Sequence, residues 1–150
     1  MKARLSEGYK PEWDIDLKYG QKGERLVRDF LVGMLGEEPG RLTVEVKTDA
    51  KYLVSGRVYM EYQCRKRDGW RNSGILASDA DYWSFVIGES VVIGVPRTVL
   101  LRILERAQDP KLKYLREEKD GSHPTRGVAI PMHHFLTWLY MELWHAAKAA

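Results

Sequence analysis

Between Arg41 and Arg67 the chain reads RLTVEVKTDAKYLVSGRVYMEYQCRKR: two β-branched runs around a polar turn, each with carboxylates in its middle. Side chains alternate faces along a strand. Over 42–49, Leu42, Val44 and Val46 share one face, and Thr43, Glu45, Lys47 and Asp49 share the other. Over 57–64, Val58, Met60, Tyr62 and Cys64 oppose Arg57, Tyr59, Glu61 and Gln63, with Arg65 next on the polar side. A turn near Ser55-Gly56 predicts that the two runs pair as an antiparallel hairpin. One face of that pair is apolar and the other is crowded with charge. Carboxylates are poor strand formers, and like charges side by side repel. Either water solvates this face, or a cation sits among Glu45, Asp49 and Glu61.

The rest of the chain alternates helix and strand. Leu26, Val27, Phe30, Leu31, Met34 and Leu35 recur at helical spacing, and Gly36 closes the helix they predict. Glu24 lies in its first turn, at the edge of the apolar stripe. Residues 82–87 and the run SVVIGVP predict two further strands, and Pro96 opens a helix through RTVLLRILERAQ. A charged loop is expected over about 109–125, followed by a short strand, GVAIP. The final MHHFLTWLYMELWHAAKAA predicts a helix, with Phe135, Leu136, Leu139, Tyr140 and Leu143 at helical spacing. Trp138, Met141 and Trp144 lie beside that stripe, an all-round apolarity that suits burial in the core or a homodimer interface. Plain core is the simpler of the two. This order predicts a mixed α/β (α+β) layer fold in a single domain, 1–150, with residues 1–19 as an irregular arm.

The single cysteine, Cys64, excludes an intramolecular disulfide and a multi-cysteine zinc site. It falls on the apolar face and reads as core. No window approaches a membrane span, and the first twenty residues have no apolar run of the signal-peptide kind, so a cytoplasmic protein without membrane contact is expected. A net charge of +3 is compatible with a polyanionic partner.

The pieces GQKGERLVRDFL, VEVKTD, SGRVYMEYQ and SGILASDADYWSFVI, in that order over residues 20–95, resemble the PD-(D/E)XK nuclease superfamily. The likeness is to its small phage-type and Holliday-junction-resolvase-like members. The resemblance implies a restriction-endonuclease-like αβββαβ core: a mixed central sheet flanked by helices, here with an extra C-terminal helix. It implies a Mg²⁺- or Mn²⁺-dependent endonuclease hydrolysing DNA, with RNA as a further possible substrate. By position, Glu24 resembles the accessory helix acid, Asp49 the first metal-binding aspartate, and Glu61-Tyr62-Gln63 the (D/E)-x-K tripeptide. Gln63 departs from the usual Lys. It places water but carries no charge, which Lys47 on the same face of the neighbouring strand supplies instead. Glu45-Val46-Lys47 is itself an E-x-K string and is a competing assignment, which calls for an upstream acid such as Glu37 or Glu38; register is also open, because a tight hairpin sets Glu45 opposite Glu61 and a longer turn sets Asp49 there.

The segment RKRDGWR offers Arg65, Lys66, Arg67 and Arg71 to phosphates and Trp70 for base stacking, or is an ordinary solvated loop. Ser73, with Gly74 and Ser78, suits a backbone phosphate, whereas Asp81, Tyr82 and Trp83 read as anchors of the third strand. The rival to the nuclease is a DNA-binding module on the same fold without catalysis. His133, His134 and His145 lack further zinc ligands, and His123 is the one histidine placed in a loop. No G-x-S-x-G or P-loop string is present.

Overall fold

The computed structural model describes residues 18, 20–29, 43–48, 52–88, 91–119 and 123–149. Residues 20–29 form helix α1. The elements that follow are β1 (Val44–Thr48), α2 (Tyr52–Ser55), β2 (Arg57–Lys66), β3 (Gly69–Asn72), α3 (Gly74–Ala77), β4 (Tyr82–Ile87), β5 (Val91–Pro96), α4 (Arg97–Ala107), a 3₁₀ turn (Pro110–Leu112), β6 (Leu115–Glu118), β7 (Thr125–Pro131) and α5 (Met132–Ala149). The architecture is α+β, with two sheets. One is mixed, in the order β1-β4-β5, and the other is antiparallel, in the order β3-β2-β7-β6.

The expected hairpin between β1 and β2 does not form. β1 instead runs parallel to β4, with Val44 opposite Tyr82 and Thr48 opposite Val86. β2 pairs with β3 and β7. The connection explains the change: α2 lies between β1 and β2, too long a detour for a tight two-residue turn. Asp81 then pins β1 to β4. Its carboxylate accepts from the Thr43 amide at 3.0 Å and the Thr43 hydroxyl at 2.8 Å, and its own amide donates to the Thr43 carbonyl. Asp81 is thus an anchor of β4, as its sequence context predicts.

β4 is buried on both faces. Trp83 and Phe85 join a core built with Val58 and Met60 of β2, Val95 of β5, Leu100 and Ile103 of α4, Val128 and Ile130 of β7, and Phe135 of α5. Both sheets therefore share one core. Val86, on the opposite face, meets α1, which approaches so closely at Gly23 that a Cβ there would lie 2.0 Å from the Thr48 hydroxyl oxygen. That hydroxyl is buried and has no hydrogen-bond partner among the described residues.

Two expected loops are ordered elements. RKRDGWR closes the β2–β3 hairpin, and the charged 109–125 segment contains the 3₁₀ turn and β6, which pairs with β7. Helix α5 lays Phe135 into the core, and its Glu142 accepts from Arg102 at 2.7 Å and Arg106 at 3.2 Å on α4. Trp138 and Leu139 also pack on the core, but Leu136, Tyr140, Leu143 and Trp144 depart from the core reading and are exposed. Among the described residues no helix is long and apolar enough to cross a membrane.

Two outcomes are expected. Thr48→Val keeps the shape, removes a buried unpaired hydroxyl, and raises unfolding free energy by about 1 kcal/mol in urea titration. The amide of Thr43 holds the Asp81 carboxyl below its usual range, and the Arg102 hydrogen bond does the same for Glu142. Lowered folded values mean stabilisation that is complete above the ordinary carboxyl range of about pH 4 and is lost as pH falls through the lowered values. Glu142→Gln flattens that acid limb in thermal unfolding measured against pH.

Candidate functional site

A cleft of about 380 Å³ opens between β1, β2 and α3. Its chemistry follows from register. Glu45 and Lys47 stand opposite Trp83 and Phe85, so they share the core-side face of the sheet but lie on its edge strand. Val44, Val46 and Thr48 turn to the other face, where Thr48 meets α1. Glu61 reaches the same cleft from β2. Of the polar residues expected to share one face of a hairpin, Glu45, Lys47 and Glu61 line this cleft, Gln63 does not, and their strands are not hydrogen-bonded neighbours.

Each charged group has a defined partner. Lys47 Nζ lies 2.8 Å from Glu45 Oε1 and 5.3 Å from the Trp83 ring centroid. The Trp83 indole N–H donates to Ser78 Oγ at 3.2 Å, which fixes the ring under the ammonium. Ser73 Oγ donates to Glu61 Oε1. The Ser73 amide donates to the Tyr62 carbonyl at 2.9 Å, and Gly74 follows with φ of +49°. A Cβ on Gly74 would lie 2.2 Å from the Glu61 carbonyl oxygen, so this contact between α3 and β2 requires glycine. Arg97 caps α3 from below through the Ile75 carbonyl at 3.1 Å.

Tyr59 also lines the cleft. Burial pushes its phenol pKa up, against the opposing effect of the hydrogen bond with Thr125 Oγ1 at 3.1 Å. The ring lies over Gly127, the one neighbour on β7 without a side chain to block it. Alternation puts Tyr59 on the face of Glu61, but its role as a neutral wall depends on Gly127, some seventy residues away.

The tripeptide Glu61-Tyr62-Gln63 is split. Glu61 pairs with Gly127 and Gln63 with Arg126, so Tyr62 is an extra residue in the β2 ladder. One inserted residue reverses the alternation beyond it. Gln63 therefore moves to the face of Arg126 and Val128, away from Glu61, and it does not line the cleft. Sequence alternation alone does not reveal a bulge.

The same inversion divides the basic hairpin. Arg65 and Trp70 are cross-strand partners on the Gln63 face, where the Arg126 guanidinium lies 3.9 Å from the Trp70 ring centroid. Arg126 was not evident from sequence; it also reaches Glu117 at 3.4 Å. Lys66 and Arg71 fall on the opposite face, with Arg71 ion-paired to Asp68, and Arg67 is an exposed turn residue. Glu24 is exposed on α1 and does not line the cleft. Asp49 lies outside the described residues. His123, His133 and His145 are exposed, and His134 is bonded to the Tyr114 hydroxyl, a packing role.

Two carboxylates from separate strands suit a Mg²⁺ ion, which takes one or two carboxylates and keeps several waters. Among the described residues no group of three or more His, Cys, Asp or Glu is placed to hold a metal. No family model matches the chain, and neither the curated proteins nor the solved structures contain a match to it. The cleft is therefore read from its own geometry. Gly74→Ala is expected to lower stability by at least about 2 kcal/mol, because it combines a left-handed φ with a backbone clash. Chemical denaturation measures this, with Gly56→Ala as the comparison at a positive φ that meets nothing.

Proposed function

We propose that this chain is a metal-dependent nuclease acting on DNA, with its site in the cleft of Glu45, Lys47 and Glu61. The observation that carries the reading is the convergence of two carboxylates and one ammonium from separate strands on one half-exposed surface. The formal charges leave the cleft net negative, which favours a divalent cation. The resemblance to PD-(D/E)XK nucleases supports the same chemistry, as does the succession of α1, β1 and β2. The division into two sheets departs from the single central sheet of a restriction-endonuclease-like core.

Glu61 and Glu45 hold the ion in this proposal, with Asp49 carried over from the resemblance as a further ligand. The ion supplies Lewis acidity toward a phosphodiester and lowers the pKa of water beside it. Lys47 takes the part that the resemblance gives to the tripeptide lysine: its ammonium places positive charge where negative charge builds on the phosphoryl oxygens. Glu45 and the Trp83 ring hold that ammonium in place, and Ser73 fixes the rotamer of Glu61. Gln63 has no part on this face. Lys66 extends positive charge along the cleft side of the hairpin toward a polyanion, with Arg71 beside it held by Asp68. Glu24 serves at most as a distant helper.

A second reading, a DNA-binding module without catalysis, draws on the displaced Gln63 and on the absence of a three-ligand group among the described residues. The deciding assay incubates supercoiled plasmid and a four-way junction with the protein in Mg²⁺ or Mn²⁺. The nuclease reading expects cleavage that EDTA abolishes, and a loss of about 100-fold or more in Glu61→Ala and Lys47→Ala. Salt-sensitive binding that persists in EDTA, with neither substrate cut, establishes the binding module instead.

A further inference from the structure

Helix α5 carries two stripes with different fates. Phe135, Trp138 and Leu139 pack on the core, and Glu142 is tied to Arg102 and Arg106 of α4. That side is fixed. The other stripe is Leu136, Tyr140, Leu143 and Trp144, which are 45%, 67%, 43% and 51% exposed. With α5 already docked, these side chains cannot turn inward. We propose that this stripe is where a second copy of the chain docks, α5 against α5.

Size favours a second copy. Leu136 and Trp144 span eight residues, about 12 Å of helix. With Met141, 36% exposed, the stripe presents on the order of 500 Å² of side chain. Two copies together bury at most about 1,000 Å², the floor for a biological interface and the range of weak, concentration-dependent association.

Charge and pattern point the same way. The stripe itself carries no Asp, Glu, Lys or Arg; exposed His133 flanks one end of it, and Lys148 at the other lies 5.0 Å from the Trp144 ring centroid. Stripe on stripe therefore brings no charged residues of the stripe itself together. A lipid surface calls for several Lys or Arg along the flanks of such a helix, and α5 has Lys148 alone. The stripe is also self-complementary. Leu136 and Trp144 lie four residues either side of Tyr140, so an antiparallel two-fold centred on Tyr140 sets Leu136 of one copy against Trp144 of the other. The stacked pair Tyr140–Trp144, at 6.3 Å and 18°, gives each copy a flat aromatic surface for that contact.

Sedimentation velocity of the full chain from about 1 to about 200 µM tests this. The wild type is expected to approach twice 17.4 kDa with rising concentration. Tyr140→Glu sets two carboxylates face to face on the axis and is expected to stay at 17.4 kDa, with unchanged circular dichroism because the residue is mostly exposed. A wild type that stays monomeric throughout overturns the proposal. So does a dimer that survives in both Tyr140→Glu and Trp144→Glu. Flotation of a monomeric wild type with phosphatidylglycerol vesicles assigns the stripe to lipid and equally overturns it.

Discussion

The burial of β4 on both faces is the constraint on which the rest of the structure depends. A strand with Trp83 and Phe85 on one side and Ser84 and Val86 on the other has no solvent face. It needs cover above and below, and a partner along each edge. β5 and α4 follow it directly in sequence and supply one edge and one cover. β1 supplies the other edge in parallel, and α1 the second cover. The Thr43–Asp81 hydrogen bonds set the register just before the first pair, Val44 opposite Tyr82, and every later side-chain position on β1 follows from it.

The cleft is a consequence of this arrangement. β1 is an edge strand, so its core-side residues run off the end of the core. Glu45 and Lys47 occupy those positions beside Trp83, where apolar side chains would have extended the core toward β2. The second wall comes from β2, held by Ser73 and Gly74 where the start of α3 meets its backbone. Glu61 sits at that point, which joins a tightly constrained peptide to a half-exposed carboxylate. The bulge one residue later turns the ladder over, so the acid and the basic aromatic surface of Arg65, Trp70 and Arg126 look in opposite directions.

Helix α5 shows how an apolar pattern divides between two tasks. Periodicity marks its apolar residues without telling which stripe meets its own core and which faces outward. That choice is made by α4, whose Arg102 and Arg106 reach Glu142 and so set the rotation of α5 about its axis.

Local chemistry in the sequence determined where helices and strands occur. Pro96 opens α4, alternation marks β1 and β2, a short apolar run marks β4, and helical spacing marks α1 and α5. It also determined that Glu45, Lys47 and Glu61 point away from the apolar side of their strands, because alternation is a property of the extended chain itself. What lies opposite each strand is not such a property. The parallel pairing of β1 with β4, the strand status of 115–118, the inversion at Tyr62 and the approach of Tyr59 to Gly127 rest on contacts between residues far apart in the chain. Many pairings satisfy the same local pattern, and they differ only in how completely they bury Trp83, Phe85 and Phe135 together. Tertiary packing made that selection.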